Sequence, residues 1–578
     1  MIFQSLIALY DRLAQTGDVP SYGFSIEDIG FVVTLDKEGN MIGQPEDLRK
    51  KITAQKFEFR TSEVPYTNQV NVRSSSGAAK TPNLMVDKAD YVFGMSGSAQ
   101  KKVHHKHFIE RIEEVCGESD DQGVIAVKAF LEKWNPANSI DLEGWKEMCG
   151  THGKWVAFRL GGDSGFVHER PAIKALWSEF VAKDKSFSQG ISFLDGGVHD
   201  LQSQYAQFKF GSGASLVSFN EVSYESYGKK KGENAPISVE AEFKSSTALK
   251  FLFRSRTQRL RIGDATTVFW AEKKSKVEVI FGQILNPSIE DKSAAVPVQK
   301  FLEAVRKGNL PADFESDGEI KFHILGFSLN KARLALRFYY VCSVTELMER
   351  LNDHFQCLEM ERSEKDIPFP GIKHLLRETV FGKTPLDKDK NVSPVLGGAL
   401  MRSILTGSNY PQTLYQGVLG RIRADGRINY LRTSILKAVL TRNHNKEVPM
   451  SLDTERREIA YLLGRLFAVL EKVQKEAIPG AKSTIRDRFM SAAASTPATV
   501  FPRLLDLAQH HIKKAEFGDL SDNRIAEIKE HINDYPVYMN LQERGLFYIA
   551  YYQQKNAIQR EIQEAIRRKQ NQKKGEEA

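Results

Sequence analysis

Small, amide, hydroxyl, aromatic and lysine side chains alternate from Gly211 to Glu272, in strings such as GSGASLVSFNEVSYESYGKKKGENAPIS. Glycine lets a backbone approach a ligand closely. Serine and asparagine side chains, lysine cations and backbone N–H groups bind phosphate oxygens, and the rings of Phe219, Tyr224 and Tyr227 offer faces for base stacking. The composition favours contact with a phosphate-bearing polymer, although a glycine-rich loop followed by a solvated helix fits it equally well.

Two groups of side chains in this stretch are candidates for holding a nucleic-acid backbone. From Lys244 to Arg261 the chain carries six Lys or Arg and no acidic residue, and the apolar spacing predicts one helix that turns Leu249 and Leu260 inward. The polar candidates in the loop before it are Ser218, Asn220, Ser226, Lys229 and Asn234. The cationic candidates are Arg254, Arg256 and Arg259.

A second polar stretch runs from Pro65 to Gly94 and is rich in Asn, Ser, Gly and Lys. Its composition predicts a loop that is longer than most connections, and such loops are usually functional or disordered. A mobile loop solvated by its own polar residues is the alternative. The side chains able to read base edges or hold phosphates are Asn68, Gln69, Asn71, Arg73, Lys80 and Asn83.

Positive charge is concentrated in one part of the chain. The formal net charge is +8, and residues 371–450 alone carry 13 Lys and Arg against 5 Asp and Glu, a net of +8. Residues 451–578 carry 21 Lys and Arg against 18 Asp and Glu, so the remaining residues, 1–370, have a slight net negative charge. Localised basic charge is the footprint of a polyanionic partner. The candidates for guiding a single strand are Arg402, Arg421, Arg423, Arg427, Arg432 and Arg442.

The elements that must position these residues change in character along the chain. Alternating apolar residues predict strands and turns within 21–43, 56–60, 154–160, 319–327 and 332–340. After the charged, proline-containing segment 363–371, apolar spacings of three and four predict helices. These helices are expected over 371–381, 394–406, 411–424, 428–442, 452–477, 482–494, 499–515, 521–533 and 540–569.

The predicted class is therefore α+β, with a mixed α/β N-terminal part of several short sheets followed by a C-terminal all-helical bundle. We expect four parts. They are an α/β domain over 1–150, a central α/β domain over 151–362, a basic helical segment over 371–449 and a helical bundle over 450–578.

Several classes of protein are disfavoured by composition. The four cysteines are widely separated and never spaced as C-x-x-C, so we expect reduced thiols and neither a zinc site nor disulfides. No apolar run approaches the ~20 residues that cross a bilayer, and the first residues lack the features of a signal peptide. The sequence predicts a cytoplasmic protein that needs no membrane, metal or cofactor.

No enzymatic motif fits the sequence. Gly382-Lys383-Thr384 resembles the end of a phosphate-binding loop, but Arg377 occupies the position of the required first glycine. The GDSG string at 162–165 has no matching His and Asp context, and the carboxylates are dispersed. A non-enzymatic nucleic-acid-binding scaffold is favoured; the alternative is a metal-dependent enzyme that cleaves or processes nucleic acid with scattered catalytic residues.

Long strings of residues carry a resemblance. SFNEVSYESYGKKKGENAPIS (218–238) and IGDATTVFWAE (262–272) closely resemble the large subunit of the CRISPR-associated surveillance complex (Cascade) of subtype I-C. LIALYDRL (6–13), HILGFSLNKARLALRFYY (323–340) and FYIAYYQQKNAI (547–558) agree with it, so the resemblance covers nearly the whole chain.

The resemblance implies an RNA- and DNA-binding subunit of an antiviral ribonucleoprotein. Such a subunit recognises a short duplex motif beside the target (the PAM), helps open the duplex, stabilises the displaced non-target strand of the R-loop and presents a surface to a helicase–nuclease. Its implied partners are the guide CRISPR RNA, the target DNA, the repeated backbone subunit and the guide-processing subunit. The 68–83 loop then becomes the candidate PAM reader and duplex wedge, with Lys80 and Asn83 foremost.

The resemblance also implies a small subunit translated from an internal start in the same gene. Met450 lies directly before the strongest amphipathic pattern, and a product from it would have 129 residues, 450–578. An ordinary linker methionine is the alternative interpretation.

Overall fold

The computed structural model describes residues 2–53, 56–66, 82–94, 99–150, 153–183, 187–208, 214–219, 221–262, 265–285, 301, 303–304, 317–330 and 333–576. The chain forms two compact units. Unit 1 comprises Met1–Ser255 and Leu329–Ala335, and unit 2 comprises Arg256–Ser328 and Leu336–Ala578.

The described helices of unit 1 are short and interleaved with strands. They are α1 (Ile2–Gln15), α2 (Ala89–Val92), α3 (Ala99–Cys116), α4 (Gln122–Lys133), α5 (Trp145–Cys149), α6 (Pro171–Ala182) and α7 (Val239–Arg254). The strands are β1 (Phe24–Leu35), β2 (Glu46–Asp47), β3 (Lys50–Thr53), β4 (Lys56–Glu58), β5 (Arg60–Pro65), β6 (Val86–Asp87), β7 (Trp155–Leu160), β8 (Ser188–Ile191), β9 (Val198–Leu201), β10 (Gln207–Phe208) and β11 (Ala214–Ser215).

Strand β1 is the centre of the main sheet of unit 1. It pairs in parallel with β7 and antiparallel with β5 and β2, and β6 closes the far side of β7. Side chains alternate between the two faces of a strand. Phe31 and Val33 therefore pack on one face against a core that α2, α3, α4 and α6 complete, whereas Val32 joins a smaller cluster on the opposite face. Ile29 joins the cluster of Val32 because the register of β1 shifts between Ile29 and Phe31.

Unit 2 begins with four strands that share one sheet. Its strands are β12 (Arg259–Ile262), β13 (Ala265–Ala271), β14 (Lys321–Asn330) and β15 (Arg333–Ser343), in the order β12-β13-β14-β15. The segment Leu329–Ala335, which includes the end of β14 and the start of β15, belongs to unit 1. There Arg333 pairs with Ser215 of β11.

Helices make up the rest of the described part of unit 2. They are α8 (Val277–Leu285), α9 (Val344–Leu358), α10 (Ile372–Arg377), α11 (Pro385–Asn391), α12 (Pro394–Thr406), α13 (Gln412–Asp425), α14 (Tyr430–His444), α15 (Ile459–Ala477), α16 (Ile485–Ala493), α17 (Pro497–Ile512), α18 (Gly518–Lys529) and α19 (Leu541–Glu576).

Helix α15 is the centre of this helical part. It contacts α16, α17, α18 and α19, and every residue from Ala460 to Glu471 is buried, although the sequence pattern of the helix is amphipathic. Gly464 lies so close to α19 that a Cβ there would collide with the carbonyl oxygen of Phe547. One hydrophobic core runs through unit 2, from Leu260 on β12 to Ile558 on α19.

The α+β class, with short N-terminal sheets and C-terminal helices, is confirmed. The single helix expected over 244–261 is wrong: α7 ends at Arg254, and β12 follows. The reason is a change of period, because Arg259 and Arg261 are exposed while Leu260 and Ile262 are buried. The four-part domain division stays a prediction. No described helix is both long and apolar enough to span a membrane.

Candidate nucleic-acid interfaces

A tight turn presents an aromatic ring in the loop between β11 and α7. The N–H of Lys229 donates to the carbonyl of Ser226 at 2.9 Å. Tyr227 and Gly228 between them have φ values of +53° and +73°, the pattern of a type I′ turn. The side chain of Tyr227 is 100% exposed at the tip. A ring held away from the protein on a fixed backbone is suited to stacking against a base.

The residues that follow the turn are fixed by contacts within unit 1. The N–H of Gly232 donates to the carbonyl of Ser203 at 2.9 Å, and a Cβ at position 232 would collide with the neighbouring backbone. The Asn234 amide donates to the carbonyls of Lys229 and Lys231 at 3.0 and 3.1 Å. Asn234 therefore shapes the loop, and the three lysines at 229–231 stay exposed.

The other candidates of this stretch are placed differently from one another. Ser218 is partly buried, Ser226 is exposed, and Asn220 lies outside the described residues. The Arg254 guanidinium donates to the carbonyl of Ile26 at 2.8 Å.

Arg256 and Arg259 are exposed and belong to unit 2, whereas Arg254 belongs to unit 1. A residue outside the candidate list, Arg333, lies over the Tyr224 ring at 4.6 Å. The cationic candidates are therefore divided between the units.

The predicted reader loop falls mostly outside the described residues, which include only Asn83 of its six candidates; the other five are Asn68, Gln69, Asn71, Arg73 and Lys80. Asn83 is 1% exposed, and its backbone N–H donates to Asp87 at 2.9 Å. On the other side, the N–H of Tyr66 donates to Gly23 at 2.8 Å. Both flanks of 67–81 are thus tied to unit 1.

A buried polar network supports β5, the strand that precedes this loop. The Ser62 hydroxyl contacts His168 Nε2 at 2.9 Å and donates to Glu169 Oε1 at 2.6 Å. Burial lowers the pKa of His168 to about 3, so the imidazole is neutral. Because the single hydroxyl proton goes to Glu169, the histidine Nε2–H must be the donor to Ser62. The network fixes β5 from within, and the Nδ1 atom of His168 is buried without a hydrogen-bond partner.

Asp425 holds three of the six basic candidates of unit 2. Its carboxylate bonds Arg421 at 2.7 Å and Arg432 at 2.6 Å, and it accepts the Arg427 backbone N–H at 2.9 Å. Burial acts to raise the pKa of Asp425, but the hydrogen bonds from Arg432 and Arg427 outweigh it and lower the pKa to about 2. Arg432 is 4% exposed and also bonds Glu378 at 2.8 Å.

Three of the other four candidates face outward. Arg402, Arg423 and Arg427 are exposed, and their guanidinium groups form no ion pair with a described carboxylate. Arg442 is partly buried, lies over the Tyr410 ring at 4.3 Å and donates to the carbonyl of Ser403 at 3.3 Å. The basic excess of this segment is therefore partly structural and partly available to a ligand.

An open pocket of about 380 Å³ lies beside Arg402 in unit 2. Arg337 of β15, Ser408 and Asn409 line it together with Ser403, the residue whose carbonyl Arg442 contacts. In the alternating sequence of β15, Arg337 falls on the polar side of the strand, but no pattern in the sequence indicated that it lies beside Arg402. The pocket has the two cations and the neutral donors that suit an anionic ligand.

Comparison with known proteins identifies a family. The model of the family described as CRISPR-associated protein (Cas_Csd1) matches residues 6–559, nearly the whole chain. No curated protein matches the chain. The family match confirms the resemblance drawn from the quoted strings. Among the described residues there is no group of three or more His, Cys, Asp or Glu placed to hold a metal ion.

Proposed function

Since this chain belongs to the family of CRISPR-associated proteins described as Cas_Csd1, large subunits of the subtype I-C Cascade complex, we propose that it reads the PAM duplex and keeps the opened DNA strands apart. In this role it binds the guide RNA–target assembly beside the backbone and guide-processing subunits. It also presents a docking surface to the helicase–nuclease, and it cleaves nothing itself. The observation that carries the proposal is the match over 6–559.

The reader loop is proposed to be the stretch 68–83. Support comes from its two flanks, since Tyr66 and Asn83 are bonded into unit 1 and a loop on fixed ends can hold side chains at a defined position over a duplex. Asn83 is buried, so its proposed role is to support the loop. Contact with bases or phosphates is proposed for the candidate residues before it, above all Lys80.

The displaced strand is proposed to follow unit 2. Support comes from the outward cations Arg402, Arg423 and Arg427, with Arg442 beside them at Ser403. Arg421 and Arg432 are instead engaged with Asp425, and they hold α13 and the start of α14 in place. Lys229 and Tyr227 on the turn of unit 1 would contact a nucleic-acid backbone and a base.

A paired binding experiment tests the reading role. The assembled complex would be titrated with duplexes that carry or lack the motif, as wild type and as Lys80→Ala. Lys80→Ala should weaken binding only to the motif-bearing duplex. Lys88→Ala, an exposed lysine close in the chain, is the matched control and should bind as wild type. Equal affinity of wild type for both duplexes would refute motif reading.

An enzymatic role is the second candidate, and a cleavage assay separates it. The purified chain would be incubated with labelled DNA and Mg²⁺ or Mn²⁺. No metal-dependent cleavage is expected. Cleavage that a single carboxylate substitution abolishes would overturn the scaffold proposal.

A small subunit is proposed to start at Met450. Support comes from the contacts of α15 with α16, α17, α18 and α19, which give residues 450–578 a centre of their own. Met450 lies in the connection between α14 and α15 and is 47% exposed. Mass spectrometry of the complex expressed from the single gene should detect the 129-residue product, and Met450→Leu should remove it while keeping the full chain. Persistence of the product in Met450→Leu would exclude this start.

A further inference from the structure

A second pocket in unit 2, about 180 Å³ in volume, lies where α13 meets the first turns of α19. Arg423 of α13 and Arg544 of α19 line it, together with the neutral polar residues Gln416, Ser491 and Tyr548. No carboxylate is among its lining residues. Two cations with uncharged donors and no counter-charge make a site for an anion.

Arg544 is held in place by its neighbours. Its Nε donates to the carbonyl of Met539 at 2.8 Å, and its guanidinium lies over the Tyr538 ring at 5.0 Å. These contacts fix the guanidinium plane and leave its terminal nitrogens for the pocket. Arg423 is exposed and makes no ion pair with a described carboxylate. The pocket therefore has one fixed arm and one that is free to adjust.

Tyr548 adds a hydroxyl group to the pocket. The residue as a whole is only 4% exposed and lines the pocket, and no hydrogen bond within the described part of the chain engages its hydroxyl. The hydroxyl oxygen itself is not fully buried, so it is available to a ligand in the pocket. Burial raises the pKa of Tyr548 to about 12, and the charges of Arg544 and Arg423 act in the opposite direction. The phenol stays protonated and is a donor toward an anion between the two arginines.

The walls of the pocket are preformed. The Tyr415 hydroxyl of α13 donates to the carbonyl of Leu541 at 2.8 Å, and only glycine fits at 545, because a Cβ there would collide with that hydroxyl. Asn540 caps α19 by accepting the N–H groups of Gln542 and Glu543. The positive end of the longest described helix therefore adjoins the pocket, which favours an anion there.

We propose that Arg423, Arg544 and Tyr548 together bind a single phosphodiester of a nucleic-acid strand. The inference rests on the proposed function, which brings a displaced DNA strand to this unit, and it deepens that function by naming a discrete phosphate site. It also joins two parts of the chain, because Arg423 precedes Met450 and Arg544 follows it. A separately translated 450–578 product would carry Arg544 and Tyr548 but not Arg423.

A double-mutant cycle tests the site on the full chain, with a labelled oligothymidine of about 20 nucleotides titrated over a salt series. Loss of one hydrogen bond to a charged group weakens binding about 10-fold or more. Arg423→Gln and Arg544→Gln should each show this loss and flatten the log K versus log salt slope by about 0.7. Because both arms hold one phosphate, the double variant should lose little more than either single variant.

Two further variants keep the test independent of folding. Tyr548→Phe should weaken binding with an unchanged melting temperature, since it removes only the hydroxyl. Arg567→Gln removes an exposed arginine from the distal part of α19 and should match wild type in affinity. Full additivity in the double variant, with a slope change of about 1.4, would mean two separate phosphates and would overturn the single site.

The source of the phosphate is distinguished by competition at constant ionic strength. Inorganic phosphate should displace the oligonucleotide from wild type more effectively than from the double variant. Oligonucleotide binding that is identical in wild type, Arg423→Gln, Arg544→Gln and Tyr548→Phe overturns the inference and leaves the proposed function intact. Failure of wild type itself to bind DNA would instead count against the proposed function.

Discussion

The exposed arginines of unit 2 can be separated experimentally from the engaged ones. Arg402→Gln, Arg423→Gln and Arg427→Gln combined remove three cations that have no described carboxylate partner. Each phosphate contact to single-stranded DNA contributes about 0.7 to the slope of log K against log salt, so three contacts predict a flattening of about 2 units. Six equivalent contacts would predict about 4 units.

The assay is fluorescence anisotropy with a single-stranded oligonucleotide at a series of salt concentrations. Arg421→Gln is the matched control, since Arg421 lies on the same helix as Arg423 but is bonded to Asp425 at 2.7 Å. It should leave the slope unchanged. An unchanged slope in the triple variant would refute the assignment of these three arginines to phosphate contact. The assignment would also be refuted if Arg421→Gln flattened the slope as much as the loss of one exposed arginine should.

Three further predictions concern stability, each checked by urea unfolding. Arg432→Ala leaves two carboxylates without their buried partner and should cost about 3–5 kcal/mol; an unchanged midpoint would contradict that. The pKa of Asp425 is lowered to about 2 in the folded state. Its stabilisation is present above the ordinary value of 3.8 and is lost as pH falls toward 2, and Asp425→Asn should flatten this dependence. Gly464→Ala should cost about 1–3 kcal/mol because its Cβ meets the Phe547 carbonyl, whereas Gly398→Ala faces open space and should be neutral or stabilising.

Helical periodicity located most of unit 2 because long amphipathic segments carry a strong local signal. The helix predicted over 394–406 is observed at Pro394–Thr406, and 411–424 is observed as Gln412–Asp425. The predicted ends of helices were less accurate where capping residues determine them. The pattern beginning at 452 becomes helical only at Ile459. The short helix α11, which Thr384 and Asp387 cap at its start in a capping box, was not predicted.

The candidate sites show where local patterns stop being informative. Arg423 and Arg432 are both arginines of basic helices in one segment, yet the first is exposed and the second is buried. Arg432 is bonded both to Asp425, seven residues away in sequence, and to Glu378, 54 residues away, and no nearby spacing encodes the distant partner. The pairing of Arg423 with Arg544 in one pocket is likewise set by the crossing of α13 and α19.

The turn at Ser226–Lys229 has a consequence for the cost of recognition. Immobilising a flexible loop on binding sacrifices conformational entropy for every residue that becomes ordered. Here the backbone around Tyr227 already has its φ of +53° and its closing hydrogen bond. A base that stacks on the ring therefore restricts little more than the torsions of one side chain, so little of the stacking free energy is lost to ordering of the loop.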